Sequence, residues 1–182
     1  GPAAFADALK PLLALRRQQG HTPLFVDVQA IYDVYGFGQI SAPAIRNFLR
    51  SNTDWQNPAR AISVVLAGDA TYDPFGFEGP KNSILVAAWI DDVDPFMGET
   101  ACDTCFAQLN GDDPKSGDYT PGGQPWFAAD LWLGRFPVRS VEELSDVVAK
   151  IVAYETTGSD SDAWRARQVY LADTYTKTPH GP

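Results

Sequence analysis

Residues 61–67 read Ala-Ile-Ser-Val-Val-Leu-Ala and are followed at once by Gly68 and Asp69. An apolar run of this length is typical of a strand covered on both faces, as in a parallel sheet. In open α/β sheets, ligands and catalytic groups gather beyond the carboxyl ends of the strands, which is where Asp69 is expected. Glycine and aspartate are also ordinary turn residues. The segment therefore predicts a buried parallel strand with a sharp exit.

Strands and helices alternate along the rest of the chain. Apolar residues at helical spacing predict helices, and short apolar runs predict further strands. The helices are expected at residues 4–19, 41–49 and 140–155, the strands at residues 23–28, 83–89, 130–136 and 168–172, and a loop at residues 29–40. Ser140 followed by Glu143 is a capping box that starts the last helix. This alternation predicts an α/β fold, a three-layer sandwich with a mostly parallel sheet.

The overall charge excludes some classes of partner. The chain has 182 residues, with 14 Lys plus Arg against 23 Asp plus Glu, which gives a formal net charge of −9. Nucleic acids and anionic membranes bind basic protein surfaces, so this balance argues against both. No segment approaches the roughly 18 continuous apolar residues that a membrane-spanning helix needs. We therefore expect neither nucleic acid binding nor a membrane span.

The negative charge is concentrated in one region. Residues 91–118 contain eight acidic residues and one basic residue, so they carry −7 of the net −9. Within this region, residues 110–113 read Asn-Gly-Asp-Asp. Calcium takes six to eight oxygen ligands, and a glycine lets a loop fold around the ion. The spacing is not that of an EF-hand, and a solvated acidic turn is the alternative. The candidate calcium ligands are Asp103, Asp112 and Asp113.

The few cysteines and histidines suggest no catalytic pair. Cys102 and Cys105 lie in the acidic region rather than at the start of a helix after a strand, so a thioredoxin-type motif is not expected. A zinc site would need two further ligands nearby. The two cysteines are therefore expected to be buried or disulfide-bonded. His21 and His180 have no neighbouring serine or cysteine in the setting of a nucleophile, so no catalytic dyad can be assembled from this chain.

An ordered set of motifs extends over most of the chain. The motifs are Ala8-Leu9-Lys10-Pro11-Leu12-Leu13, Val26-Asp27-Val28, Ala44-Ile45-Arg46-Asn47-Phe48-Leu49, Val65-Leu66-Ala67-Gly68-Asp69, Cys102-Asp103-Thr104-Cys105, Leu133-Gly134-Arg135-Phe136-Pro137-Val138 and Ala153-Tyr154-Glu155. Taken together, they resemble the gingipain family of cysteine endopeptidases.

The resemblance implies a caspase-like fold of two side-by-side α/β subdomains, of which residues 1–182 form the N-terminal one. The family's catalytic histidine and nucleophilic cysteine lie in the second subdomain, so this chain alone is expected to be inactive. The resemblance also implies that Glu155 orients that histidine and that calcium binds in this subdomain. The expected partners are the C-terminal catalytic subdomain of the same protein and a protein or peptide substrate. The expected location is extracellular, either secreted or at the cell surface.

Two other functions stay open at this point. One is a non-catalytic relative that uses its acidic loops for calcium binding or interaction. The other is a receiver-like or nucleotide-binding module, which the missing phosphate-binding glycine loop disfavours. A doubly wound sheet that ends on a new strand usually continues into another helix, so we also expect the chain to be part of a longer protein.

Overall fold

The computed structural model describes residues 1–57, 62–74, 77, 86–94, 98–110, 129–157, 164 and 167–170. Its helices are α1 (Ala6–Gln18), α2 (Val28–Tyr35), α3 (Ala42–Ser51) and α4 (Val141–Thr156), and its strands are β1 (Ser63–Ala67), β2 (Ile90–Asp94), β3 (Gly98–Ala101) and β4 (Trp132–Phe136). Short 3-10 helices lie at Ala3–Phe5, Thr53–Gln56 and Asp103–Ala107. No helix among these residues is long and apolar enough to cross a membrane.

The central ladder is the parallel pair β1–β4. It pairs Ser63 with Trp132 at one end and Ala67 with Phe136 at the other. The strand predicted from residues 61–67 is confirmed, and its partner is the strand predicted at residues 130–136. Strands β2 and β3 form a separate antiparallel pair.

Helices pack on both faces of the β1–β4 ladder, on one of them only at its carboxyl end, because Val65 and Trp132 on that face are 48% and 73% exposed. Leu66 of β1, with Val64 and Leu133 beside it, belongs to a core cluster shared with α2 and α3. Ala67, on the opposite face of β1, belongs to a second cluster shared with α1 and α4, and Phe136 packs against it. The predicted α/β architecture with helices on both sides of a parallel ladder is therefore confirmed.

Serine side chains set the starts of α3 and α4. Ser41 accepts a hydrogen bond from the Ala44 amide at the start of α3, and Ser140 accepts one from the Glu143 amide at the start of α4. Each bond satisfies an amide that has no partner inside its own helix. Pro11 does not interrupt α1, which is a single helix of 13 residues. The Ser140 bond of the predicted capping box is present, but the Glu143 carboxylate accepts its return hydrogen bond from the amide of Arg139, one residue before the N-cap.

The structure corrects the prediction for residues 23–40. The predicted loop contains α2, which starts because Asp27 accepts a hydrogen bond from the Gln29 amide. The predicted strand at 23–28 is not part of a ladder. Its end is instead bonded to Gly1, whose amino group donates to the Val26 carbonyl and whose carbonyl accepts from the Val28 amide.

Two further predicted strands are not seen as strands. The described part of the first, residues 86–89, is outside any ladder and is joined to the end of β1 by one bond, from the Val86 amide to the Asp69 carbonyl. The described part of the second predicted strand, residues 168–170, is exposed and does not form a strand. Residues 171–172 lie outside the described residues. Part of the predicted acidic loop is instead the β2–β3 hairpin.

Candidate functional site

The carboxyl ends of β1 and β4 meet at one edge of the ladder, which we call the carboxyl edge. The Gly68 amide donates to the Phe136 carbonyl at 3.0 Å, and the Asp69 amide donates to the Val138 carbonyl at 2.9 Å. Gly68 has φ 135°, a conformation that side chains rarely adopt, so the sharp exit predicted for this glycine is present. Ligands of open α/β sheets bind at this edge, which makes it the candidate site.

The Asp69 carboxylate is paired with an arginine. Its Oδ2 accepts a hydrogen bond from Arg139 Nε at 2.6 Å, and its Oδ1 accepts one from the Ala70 amide at 2.9 Å. Burial opposes ionisation of this carboxyl, but these bonds and the charges of Arg139 and Arg135 hold its pKa below the usual range. Asp69 is therefore an ionised group at the carboxyl edge. An open groove beside it is lined by Pro137, Val138, Arg139, Glu143, Asp146 and Val147.

A buried arginine connects three segments at this edge. The Arg135 side chain is 9% exposed, and its Nε and Nη2 donate to the two carboxylate oxygens of Asp103 at 2.8 and 2.7 Å. Its Nη1 donates to the Gly68 carbonyl at 3.0 Å, and Nη2 also reaches the Ala87 carbonyl at 3.5 Å. The guanidinium carbon lies 6.0 Å from the centre of the Phe106 ring. Arg135 thus holds the end of β1, residues 86–89 and the 3-10 helix Asp103–Ala107 together.

Sequence reasoning did not single out Arg135 as a site residue. A signal was present, because Arg135 is the one charged residue in the otherwise apolar strand β4. A charged side chain that is largely covered by the fold requires a partner with the opposite charge. The partner is Asp103, which lies 32 residues away in the sequence. The local sequence around Arg135 therefore cannot predict which carboxylate pairs with it.

The predicted calcium ligands are only partly within the described residues. Asp103 is described, and both of its carboxylate oxygens are bonded to Arg135, so in this arrangement it does not fit a calcium ligand. Asp112 and Asp113 lie outside the described residues. In the part of the chain that the structure describes, no three His, Cys, Asp or Glu residues come together as a metal site. The calcium site stays a prediction.

The two cysteines form a disulfide. Cys102 and Cys105 are bonded to each other, and they are 7% and 2% exposed. The expectation of buried or disulfide-bonded cysteines is confirmed. Since these are the only two cysteines of the 182 residues, the chain has no free thiol in this structure.

Glu155, the predicted orienting residue, is bound to helix α1. Its two carboxylate oxygens accept hydrogen bonds from Arg16 at 2.6 and 2.8 Å, and Oε2 also accepts one from Gln19 Nε2 at 2.9 Å. The hydrogen bonds from Arg16 and then Gln19 lower the pKa of this carboxyl to about 2. The contacts join the C-terminal ends of α1 and α4.

Glu155 also lies far along α4 from the carboxyl edge. Leu144, near the start of α4, shares a core cluster with Ala67 and Val138 at that edge. Glu155 follows Leu144 by 11 residues, which places it about 16 Å further along the helix. The structure therefore does not bring Glu155 together with Asp69 and Arg135, and its predicted role stays a prediction.

Acid should weaken the contact between Glu155 and Arg16. The pKa of this carboxyl is near 2 in the folded state and 4.5 ordinarily, so the ion pair stabilises the fold fully above about pH 4.5 and is lost as the pH falls towards 2. Because the two side chains are 32% and 26% exposed, we expect a loss of about 1 kcal/mol or less. Urea unfolding of the wild type and Glu155→Gln should differ above pH 4.5 and converge near pH 2. An equal difference at both pH values would contradict this assignment.

Comparison with known proteins identifies the family. The family model described as "Peptidase family C25" matches residues 1–180. The chain belongs to this family. The match confirms the resemblance to gingipains, whose family this is. A comparison with curated proteins found no match.

The fold of this C25 chain also occurs in a solved structure. It is similar to the crystal structure of dimeric latent PorU from Porphyromonas gingivalis, with a TM-score of 0.71 and 23% sequence identity. The similarity covers 92% of this chain and 16% of the PorU chain. At this identity the likeness concerns the fold, and it supports the caspase-like α/β architecture. The chain spans about a sixth of the length of the PorU chain that it matches.

Proposed function

We propose that this chain is the N-terminal subdomain of a C25 cysteine endopeptidase whose catalytic cysteine and histidine come from a C-terminal subdomain of the same protein. One observation carries the proposal: the cysteine peptidase family model matches residues 1–180, yet both cysteines of the chain are joined in a buried disulfide. A cysteine peptidase attacks with a thiolate, and a disulfide sulfur cannot serve. We therefore place the nucleophile in residues outside this chain.

The chemistry of the proposed enzyme follows from that division. A thiolate attacks the peptide carbonyl, and a histidine accepts the thiol proton and later gives a proton to the leaving amine. The substrates are proteins or peptides. The carboxyl edge, with the ionised Asp69 and the groove beside it, is the face of this subdomain that we place next to the catalytic residues, because sites of open α/β sheets form there.

An extracellular location forms part of the proposal. Disulfides persist in oxidising compartments and are rare in reducing ones, so the Cys102–Cys105 bond supports a secreted or cell-surface protein.

The test is a peptidase assay on two proteins, the complete natural protein and the 182-residue chain. We expect the complete protein to hydrolyse peptides and to lose that activity after alkylation of its free thiol, and we expect the chain alone to be inactive. Thiol-sensitive activity in the chain alone would contradict the proposal, as would hydrolysis by the complete protein that resists alkylation. A complete protein without any peptidase activity would favour the alternative, a non-catalytic module for calcium binding or interaction.

Orientation of the histidine by Glu155 is a separate hypothesis within this proposal. Since Arg16 and Gln19 already occupy the carboxylate, one oxygen would have to leave them to accept a hydrogen bond from an imidazole. If Arg16 and Gln19 keep both oxygens in the complete enzyme, Glu155→Gln should change kcat by less than about threefold, far below the effect of general acid–base groups. Arg16→Met is the matched control, and it should lower stability to a similar extent. A fall in kcat that is large in Glu155→Gln and absent in Arg16→Met would instead establish the orienting role.

Structural calcium is also a proposal, and its support is the concentration of acidic residues in the 91–118 region. Removal of calcium with a chelator should lower the melting temperature of the complete protein, and added calcium should restore it. We expect an Asp112→Asn/Asp113→Asn variant to lose this response. Asp103→Asn should keep it, because the Asp103 oxygens are bonded to Arg135. A melting temperature that is indifferent to the chelator would exclude a structural calcium site.

A further inference from the structure

The disulfide between Cys102 and Cys105 encloses Asp103 in a ring of four residues. Cys102 is fixed from the other side as well, since its amide donates to the Trp89 carbonyl at 2.8 Å. We call Cys102, Asp103, Thr104 and Cys105 the disulfide clasp. Asp103 therefore lies in a short loop that the disulfide closes.

Two further steps connect the clasp to the carboxyl edge. The first is the two-bond ion pair between Asp103 and Arg135. The second is the set of bonds from Arg135 to the carbonyls of Gly68 and Ala87. Gly68 directly precedes Asp69, the ionised residue of the candidate site. A covalent bond, an ion pair and a hydrogen bond thus join the sulfurs to the end of β1.

Besides the disulfide, the first turn of the 3-10 helix Asp103–Ala107 is held by the Cys102 amide bond and by the Asp103–Arg135 ion pair. The helix has only five residues, and no side chain caps its start at Cys102. Short 3-10 helices have poor hydrogen-bond geometry and are easily rearranged. Phe106 and Ala107, both fully buried, anchor the far end, whereas Asp103 lies at the near end. Asp103 therefore depends on the disulfide more than the rest of this helix does.

We propose that the disulfide clasp is a redox-sensitive device that sets the geometry of the carboxyl edge. When a dithiol reduces it, the S–S bond breaks, two cysteine thiols form with two electrons and two protons from the dithiol, and the dithiol becomes a disulfide. Asp103 then leaves Arg135, and Arg135 loosens its hold on Gly68 and Ala87. Because the two cysteines are 7% and 2% exposed, reduction requires local opening of the clasp. The closed state is the one expected in an oxidising environment.

Amide hydrogen exchange in the complete protein tests this coupling. The reporting amides are those of Gly68, Asp69 and Val86, which are bonded across the carboxyl edge, and the control is the Gly36 amide, bonded to Tyr32 between α2 and α3. Closing a small loop by a disulfide restricts the chain, so we expect about 10- to 30-fold faster exchange at the reporting amides in Cys102→Ser/Cys105→Ser. The Gly36 amide should change little. Wild-type protein reduced by a dithiol should show the same pattern.

Asp103→Asn separates coupling from simple stabilisation. If the disulfide acts on the edge through Asp103, this variant speeds exchange at the same three amides. The triple variant, which combines Asp103→Asn with Cys102→Ser/Cys105→Ser, should then exchange no faster at these amides than whichever of the two parent variants exchanges faster. Additive effects, equal acceleration at the Gly36 amide, or changes confined to residues 102–107 would each overturn the proposal. Should the cysteine variant fail to fold, the time course of reduction in folded wild-type protein gives the same comparison. None of these results depends on peptidase activity, so the proposal can fail while the proposed function holds, and the reverse.

Discussion

Asp103→Ala should lower the free energy of unfolding by about 2 to 4 kcal/mol, the range expected when one partner of a largely buried ion pair is removed. The variant leaves the guanidinium of Arg135, whose side chain is only 9% exposed, without its opposing charge. Asp103 itself is 40% exposed, so water entering the vacated space recovers part of the loss. Urea unfolding of the wild type and the variant measures the difference.

Three control variants identify the source of this loss. Arg135→Met removes the charge but keeps an apolar chain beside Phe106, and it leaves Asp103 able to reach water. It should therefore cost less than Asp103→Ala, and the double variant Asp103→Ala/Arg135→Met should be more stable than Asp103→Ala alone. Thr104→Ala, at the exposed neighbouring position, should change stability by no more than about 0.5 kcal/mol. A double variant less stable than Asp103→Ala would show that the unpaired charge is not the cause.

The parts of the fold that follow from local pattern could be predicted. The apolar run of β1 and the Ser140 cap of α4 act within a few residues, and both are present as predicted. Helix α2 was missed because the apolar residues before it resemble a strand. The side chain of Asp27 caps α2 and so determines that a helix begins at Val28.

The parts of the site that depend on distant pairing could not be predicted. Gly68 was expected at a sharp turn, but its neighbours Arg135 and Arg139 are brought to it only by the parallel pairing of β1 with β4. The acidic sequence predicts either a loop around a calcium ion or a solvated turn. In the described residues, part of it is a hairpin in which Asp92 pairs opposite Glu99, and another acidic residue, Asp103, neutralises a buried arginine. The net charge of this region predicts neither the pairing of β2 with β3 nor the ion pair between Asp103 and Arg135.

The second large effect should come from Phe106→Ala, at about 3 to 5 kcal/mol, which is usual for removing a buried aromatic ring. Phe106 is fully buried in the cluster that also contains Leu66 of β1 and Ile45 of α3. Its ring meets that of Trp89 edge to face, with the ring centres 5.6 Å apart. The substitution therefore removes contacts to the sheet, to α3 and to residues 86–89 at once.

Phe37→Ala is the matched control, because it makes the same chemical change at a side chain that is 96% exposed. It should shift stability by no more than about 0.5 kcal/mol. Phe106→Leu, which keeps most of the apolar volume, should fall between the two. Urea unfolding followed by tryptophan fluorescence suits this comparison, since Trp89 packs against the ring that is removed. A loss below about 1.5 kcal/mol in Phe106→Ala, well under the usual cost of such a cavity, would mean that the 3-10 helix Asp103–Ala107 is not anchored by this ring. The ion pair and the disulfide would then have to hold it in place.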